Sequence, residues 1–376
     1  MAIGESPLEG LGMNHLSSST LPDPAFWKGK RVLITGHTGF KGSWLVLWLY
    51  SMGAEVHGLA LDPPTIPNLF SLAHISDVLS SDIRTDIREE REVLEAFVSV
   101  QPEIVIHMAA QALVRPSYSE PVHTFTTNAL GTAIILEAIR MTPSVKVAVM
   151  ITTDKVYDNR EWFYPYREID ALGGSDPYSA SKACAEIIIH SFRCSFLEKQ
   201  GKSISSARAG NVIGGGDWSK DRLVPDAIRA FISDSPLQLR NPGAVRPWQH
   251  VLDALSGYLL LAEAQWEDPR RFARAWNFAP DRNAEATVKD IASYLATLWG
   301  DGAHFTLSSS SANPAEAGLL RLDSCLARSH LGWLPKWSLH EALKKTVGWY
   351  KYWYHGRDVW QYSLDQIKSY VSGDIP

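Results

Sequence analysis

The chain has 376 residues, of which 45% are hydrophobic and 20% charged, and its net charge is -5. A chain of this length can bury roughly 75% of its unfolded surface, which is enough for a large globular fold. The mild acidity argues against a nucleic-acid partner, because phosphate backbones are held by concentrated positive charge. Three widely spaced cysteines predict neither a disulfide scaffold nor a metal site.

The chain start and its hydropathy predict where the protein works. No run of about 18 uninterrupted apolar residues is present, and the start lacks the basic-then-apolar pattern of a signal peptide. We therefore expect a cytoplasmic enzyme with no membrane partner. Residues 1–25 are rich in Ser, Pro, Gly and Leu without periodicity, which predicts a mobile tail.

Short apolar runs alternate with helical patterns through residues 26–209. The predicted strands are residues 31–35, 56–61, 104–106, 147–151 and 204–207. Two long helical patterns cover residues 125–139 and 179–198. This alternation predicts an α/β fold with a doubly wound parallel sheet, to which residues 247–280 also belong. Residues 210–246 and 281–365, broken by Gly and Pro, predict a second, smaller, mostly helical domain.

A glycine-rich loop follows the first strand directly and opens the first helix. Gly36, Gly39 and Gly42 permit a tight turn and a close approach of a pyrophosphate to the backbone. The start of the helix offers free N–H groups and partial positive charge to the phosphates. The loop therefore predicts a dinucleotide site, which also includes Thr38, Phe40 and Lys41.

An acidic residue near the end of the second strand bears on which dinucleotide binds. Asp62 can accept hydrogen bonds from the adenosine ribose and would repel a 2′-phosphate, which favours NAD over NADP. Because Pro63 and Pro64 follow it, Asp62 could alternatively begin a turn. Asp86 and Ile87 are further candidates, placed beside the adenine.

Two clusters of polar residues predict proton-transfer chemistry. Tyr178 and Lys182 are four residues apart at the start of a helix, so their side chains share one face. A nearby ammonium lowers the pKa of a phenol from about 10, and the phenolate can then accept a proton from a hydroxyl. Thr153, Asp154 and Lys155 follow a strand, where they can hydrogen-bond a substrate and supply an acid and a base.

Together these motifs resemble the extended short-chain dehydrogenase/reductase family and, within it, the nucleotide-sugar 4,6-dehydratases that act on CDP-glucose. The resemblance covers about residues 27–356. It rests on residues 35–44, 107–111, 128–132, 153–155, 178–182, 208–218 and 246–251.

The resemblance implies an internal oxidation, dehydration and reduction of a CDP-hexose. Tyr178 would deprotonate the 4-hydroxyl while NAD takes the C4 hydride, water would leave across C5–C6, and the hydride would return to C6. The product would be CDP-4-keto-6-deoxyglucose, a precursor of dideoxy sugars in bacterial surface polysaccharide. The resemblance adds four residues to the cofactor site: Ala109, Ala110, Gln111 and Asn128.

The resemblance also implies a substrate site. Asn211 and Arg246 match the family's pyrophosphate contacts, although Pro247 replaces the usual Asp, and Gln111 would also touch substrate. Two further arginines are weaker candidates: Arg222 and Arg240. Lys155 stands where related dehydratases carry Glu, so it could be a neutral base or a cation that stabilises the enolate.

The two long helices are apolar over wide faces. In the family the equivalent pair forms a four-helix contact between copies, which implies a homodimer or homotetramer, whereas packing within one chain is an alternative. Two other functions stay open. A nucleotide-sugar 4-epimerase would share Tyr178 and Lys182 but not need Asp154 and Lys155. A non-catalytic nucleotide sensor would not need an activated phenol.

Overall fold

A computed structural model describes residues 20–281, 285–307 and 318–373 of the chain. Its strands are β1 (Arg31–Thr35), β2 (Glu55–Ala60), β3 (Ser81–Arg84), β4 (Ile104–His107), β5 (Val147–Ile151), β6 (Ser203–Ala209), β7 (Asn211–Ile213), β8 (Leu237–Leu239), β9 (Val245–His250), β10 (Ala275–Phe278), β11 (Glu285–Thr287) and β12 (Phe305–Leu307).

Helices cover both faces of the main sheet and most of the second half of the chain. They are α1 (Pro24–Trp27), α2 (Phe40–Ser51), α3 (Leu69–Leu72), α4 (Glu90–Val100), α5 (Val114–Ser119), α6 (Pro121–Phe125), α7 (Gly131–Met141), α8 (Pro177–Phe192), α9 (Leu223–Ile232), α10 (Val251–Glu267), α11 (Pro269–Phe272), α12 (Val288–Trp299), α13 (Cys325–Leu331), α14 (Leu339–Tyr354) and α15 (Val359–Ser372). A π-helical turn, Thr126–Leu130, connects α6 to α7.

The main sheet has seven strands in the order β10-β6-β5-β4-β1-β2-β3, and every neighbouring pair is parallel. The predicted doubly wound sheet is therefore confirmed. The strand order reverses between β1 and β4, and a ligand crevice forms where the strands end at such a point. The loops after β1, β4 and β5 meet there, and they carry most of the predicted site residues.

All five predicted strands are present in the main sheet, and the other two strands of that sheet, β3 and β10, were not predicted. β3 is short, lies at the sheet edge and alternates between half-buried and exposed positions, so it lacks a continuous apolar run. β10 joins the opposite edge from far along the chain. The helix predicted over residues 179–198 ends at Phe192, where a π-helical segment, Arg193–Leu197, replaces it.

The second half of the chain covers the crevice. It contains a three-stranded sheet in the order β11-β9-β7, the parallel pair β8–β12, and the helices α9 and α12 to α15. Trp333 and Trp349 are fully buried, so they form part of the core of this half. Gly215 lies so close to Trp349 that an added Cβ would be 2.0 Å from its ring.

The start of the described chain differs from the predicted tail. Residues 1–19 lie outside the described residues, but Pro22 is buried and Asp23 caps α1. Glu263 accepts hydrogen bonds from the Asp23 backbone and from Trp27, which ties this segment to α10. The packed chain thus begins a few residues before position 26. Over the described ranges, we find no helix with the length and apolar character needed to span a bilayer.

Candidate active site

A cavity of about 620 Å³ lies where the main sheet ends beneath the second half of the chain. The wall of the cavity is formed by α2, the segment after β5, α8, and segments of the second half of the chain. The predicted residues that line it are Lys41, Ala110, Thr153, Asp154, Lys155, Tyr178, Lys182, Asn211, Arg222, Arg240 and Arg246. The structure thus brings the predicted catalytic and substrate residues together.

Asp154 is a buried carboxyl at the end of β5. Thr153 caps the short 3₁₀ turn Asp154–Val156, and its hydroxyl donates to Asp154 Oδ1 at 2.9 Å. Asp154 Oδ2 has no hydrogen-bond partner among the described residues. Desolvation raises the pKa of Asp154, although the positive charge of Lys155 opposes the shift. A carboxyl in the cavity wall whose pKa is raised, and of which one oxygen has no partner among the described residues, is suited to protonate a leaving group.

Tyr178 and Lys182 occupy the first turns of α8. Asp176 caps the helix by accepting from the Ser179 backbone, and Pro177 takes the first helical position, which suits its fixed φ. Both side chains are buried in the cavity wall. Lys182 Nζ donates to the carbonyl oxygen of Ile151 at 3.2 Å, and burial lowers the pKa of Lys182 to about 8.

The expectation that the pKa of Tyr178 lies below that of a free phenol is wrong for the protein without ligands. Burial raises the pKa of Tyr178 to about 12, although a hydrogen bond with Thr153 acts in the opposite direction. Desolvation of the phenol, which the spacing of Tyr178 and Lys182 along the chain does not reveal, is the largest effect on this pKa.

Cations gather on the side of the cavity nearest the glycine loop. Lys41 is half-buried, and desolvation, followed by the positive charges of Arg222 and Lys182, lowers its pKa to about 7. Arg222 pairs with Asp217 at 3.6 Å, and Asp217 is itself nearly buried. This end of the cavity therefore suits a negatively charged ligand group.

Elsewhere on the cavity wall, a carboxylate holds Arg240 and backbone carbonyls hold Arg246. Asp221 accepts from Arg240 at 2.7 Å and pairs with Arg115 at 3.5 Å. Arg246 donates to the carbonyl oxygens of Val245 and Gly318 at 2.9 and 3.1 Å. The sequence analysis missed Arg115 and Asp221, because neither belongs to a recognisable motif and only the tertiary fold places them at the cavity.

The glycine loop has the geometry that a pyrophosphate needs. A Cβ on Gly42 would lie 2.2 Å from the Gly36 carbonyl oxygen, and Gly36 has a φ of +77° that favours glycine. Gly39 is the N-cap of α2 and contributes no side-chain cap, so the first N–H groups of the helix point outward. These residues fit a dinucleotide.

The neighbours of this loop have different surroundings. Thr38 donates to the Leu61 carbonyl at 2.9 Å, and the ring of Phe40 packs against Gly214. The Asp62 side chain is 91% exposed and pairs with Arg84 at 3.3 Å.

Asp86 and Ile87 do not present free side chains to the cleft. The Asp86 carboxylate is bound by Arg88, with a shortest distance of 2.6 Å. Ile87 is buried against Gly131.

The loop after β4 is braced from within. Gln111 donates to the Leu113 carbonyl at 2.9 Å and to Thr124 at 3.2 Å, so its amide supports the loop and does not face the cavity. Buried Asn128 joins the Gln111 backbone to the Ser181 hydroxyl on α8. The Ala109 N–H donates to the Thr35 hydroxyl at 3.2 Å.

Comparison with known proteins places the chain among nucleotide-sugar enzymes. Residues 33–346 match the family described as GDP-mannose 4,6 dehydratase. The chain belongs to this family. It is 48% identical to the CDP-glucose 4,6-dehydratase of Salmonella typhimurium over 93% of this chain and 98% of that protein. It is 28% identical to a probable dTDP-glucose 4,6-dehydratase of Sinorhizobium fredii, over 85% of this chain and 92% of the relative.

Solved structures confirm the fold. A UDP-glucose 4-epimerase of Thermus thermophilus in complex with NAD has a TM-score of 0.72 at 26% identity, covering 85% of this chain and 99% of that one. A dTDP-glucose 4,6-dehydratase of Streptomyces venezuelae has a TM-score of 0.73 at 22% identity, covering 85% and 97%. Epimerases and dehydratases of the family therefore share one architecture, and the site must distinguish them.

Asp154→Asn should change how stability depends on pH. Because the folded pKa of Asp154 is raised, the folded protein binds more protons than the unfolded chain between the two pKa values, so wild-type stability falls as pH rises through that window. The Asn variant lacks this loss. We expect it to be more stable than wild type at pH 7, with the difference closing toward the usual Asp pKa of about 3.9.

Urea unfolding at several pH values measures this difference. Asp365→Asn is the control, since that carboxylate is largely exposed and should leave the wild-type pH dependence in place. Identical pH dependence of the Asp154→Asn variant and wild type would contradict the raised pKa.

Proposed function

We propose that this protein dehydrates CDP-D-glucose to CDP-4-keto-6-deoxy-D-glucose, and that it uses bound NAD. The dehydratase family and the 48% identity to a CDP-glucose 4,6-dehydratase support the reaction and the nucleotide. The observation that carries the chemistry is Asp154. Its buried carboxyl lies in the cavity wall, its Oδ2 has no hydrogen-bond partner among the described residues, and its raised pKa suits it to donate a proton to a departing hydroxyl.

The predicted catalytic residues in the cavity wall each have a role in this reaction. Tyr178, hydrogen-bonded to Thr153 and under the positive charge of Arg222, takes the proton of the sugar 4-hydroxyl. Lys182, one helical turn further along α8, is assigned a second positive charge that favours the phenolate. Asp154 protonates the C6 hydroxyl as it leaves. Lys155, on the same turn, is assigned to the C5 side, where it either accepts the proton or stabilises the negative charge of the enolate.

NAD, when bound, would supply the redox chemistry, as the acceptor of a hydride from C4 and its donor to C6. The glycine loop would hold its pyrophosphate through Gly36, Gly39 and the first N–H groups of α2. Asp62, at the exposed end of β2, would accept from the adenosine ribose. Ala109 and Ala110, in the loop after β4, and Asn128, which is bonded to that loop, would complete the dinucleotide site.

The substrate diphosphate fits the covering half of the chain. Asn211, Arg222, Arg240 and Arg246 lie along the cavity wall, and guanidinium groups bind phosphate in a bidentate manner. In this assignment residues 26–209 with 247–280 bind the dinucleotide. Residues 210–246 and 281–365 bind the nucleotide sugar.

A panel of substrates tests the proposal. Purified protein with NAD should convert CDP-glucose to a product that is one water lighter and has the alkaline absorbance of a 4-keto sugar. The dTDP-, GDP- and UDP-hexoses should react far more slowly. A sugar changed only in its C4 configuration would instead identify a 4-epimerase, and binding without turnover would identify a sensor.

Tyr178→Phe should lower kcat by roughly 100- to 10,000-fold, because the group that takes the hydroxyl proton is removed. NAD should still bind with wild-type affinity, since the variant retains Lys182 and the glycine loop. Turnover and NAD titration of the same preparation measure both quantities. Unchanged turnover would refute the role of Tyr178, and Tyr164→Phe at an exposed position is the matched control.

Copies of the chain should associate through the outer faces of α6, of α7 with the π-helical turn before it, and of α8. These faces expose Val122, Leu130 and Ile187, the last with 58% of its surface accessible. A contact that buries such an apolar face stabilises a dimer, or a tetramer built from dimers.

Ile187→Lys should place a charge in that contact and shift the protein to monomer, measured by light scattering at several concentrations. Leu307→Lys, at an exposed position outside these helices, should leave the mass unchanged. A wild-type monomer would contradict the proposal.

A further inference from the structure

Glu186 is a buried carboxylate on α8, one helical turn after Lys182. Its side chain is 4% exposed, and it forms an ion pair with Arg208 of β6, which is 3% exposed. Burial alone would raise the pKa of Glu186, but Arg208 and two hydroxyl donors outweigh burial and lower it. Glu186 is therefore an anion inside the protein, behind the catalytic face of the helix.

Four donors saturate this carboxylate. Oε1 accepts from the Thr152 hydroxyl at 2.5 Å and from Arg208 Nε at 2.9 Å. Oε2 accepts from the Ser206 hydroxyl at 2.7 Å and from Arg208 Nη2 at 2.8 Å. The bidentate Arg–carboxylate geometry fixes the orientation of the group as well as its charge.

These bonds connect the two elements that carry the catalytic groups. Thr152 directly precedes Thr153 and Asp154, while Glu186 shares its helix with Tyr178 and Lys182. Lys182 in turn donates to the carbonyl of Ile151, the last residue of β5. Helix α8 is thus bonded to the end of β5 at two successive residues, Ile151 and Thr152.

Arg208 is held from its other side. Its Nη1 donates to the Tyr157 hydroxyl at 2.8 Å and to the Glu168 carbonyl at 3.2 Å. Tyr157 donates to Asn277 of β10 at 2.7 Å. The ion pair is therefore anchored in the sheet and has little freedom to move away from α8.

The charges around Lys182 make Glu186 important. Lys41 of α2 faces Lys182, and Lys41 is itself a cation or a neutral amine, depending on pH. His107 of β4 also faces Lys182 and is neutral, because burial lowers its pKa to about 3. Tyr178 lies on the same helix face. Glu186 is the group whose charge raises the pKa of Lys182 against the effect of burial.

We propose that Glu186, through its buried pair with Arg208, is a positioning residue for the dehydratase reaction: it places a fixed negative charge one helical turn from Lys182 and holds the Thr152–Asp154 segment against α8. This inference rests on the proposed function, because it concerns the same site. Glu186 itself touches neither the cavity described above nor the reacting atoms.

Glu186→Gln tests the charge while retaining the size of the side chain. Because Glu186 raises the pKa of Lys182, its neutralisation should lower that pKa further. Activity that needs the ammonium form is then lost at lower pH than in wild type. We expect the alkaline limb of the kcat profile to move down by about one pH unit or more, kcat to fall roughly 10- to 100-fold, and KM to change little.

A second variant separates the charge from the hydrogen bond. Thr152→Val removes one donor and leaves the ion pair in place, so kcat should fall while the alkaline limb stays at the wild-type pH. An unchanged kcat in Thr152→Val would overturn the role in positioning the β5 end. An unshifted limb in Glu186→Gln would overturn the role of the charge.

Folding is controlled by a double variant, Glu186→Gln/Arg208→Gln, because an unpaired buried Arg208 can destabilise the single variant. The double variant should show the same shift without that unpaired charge. A wild-type limb in the double variant would contradict the proposal.

A readout that needs no turnover distinguishes this proposal from the proposed function. The pH dependence of Lys182 acetylation by a small anhydride, followed by mass spectrometry, reports its titration directly. The midpoint should be lower in Glu186→Gln than in wild type, and equal midpoints would refute the inference. A wild-type protein inactive on every nucleotide sugar would refute the proposed function alone.

Discussion

Removal of water from the end of the parallel sheet is the constraint on which this protein depends. Asp154, Tyr178 and Lys182 are buried there and Lys41 is half-buried, and in each case desolvation is the first cause of the pKa shift. Burial disfavours the charged form of each of these groups. It therefore raises the pKa of the carboxyl and of the phenol and lowers the pKa of the two amines. Asp154 therefore holds its proton more tightly than a solvated carboxyl does, whereas Lys41 and Lys182 hold theirs less tightly than solvated amines do.

The covering half of the chain creates this environment. The main sheet and its glycine loop form an open crevice, and β7, β8, β9 and α9 close it into a cavity of about 620 Å³. The same segments bring arginines that pair with Asp217 and Asp221. Dinucleotide chemistry and substrate recognition are thus assembled from separate parts of the chain, as expected where parallel strands end at a switch point.

The local patterns that could be predicted are those with a short-range cause. The strands β1 and β5 are continuous apolar runs, α8 begins with Asp176 and Pro177, and the glycine spacing reports on backbone geometry. β3 escaped prediction because an edge strand needs no apolar run. The pKa of Tyr178 was predicted in the wrong direction, since burial cannot be judged from a tyrosine and a lysine four residues apart.

The sequence by itself determined the doubly wound sheet, the glycine loop, and the shared helix face of Tyr178 and Lys182, because each follows from residues that are neighbours along the chain. Only the tertiary structure decided that Glu186 and Arg208, 22 residues apart, pair beneath that face, and that Arg115 meets Asp221 across the cavity. Contacts of this kind depend on where separate strands and helices come to lie. Their charges matter because the finished fold excludes water from around them.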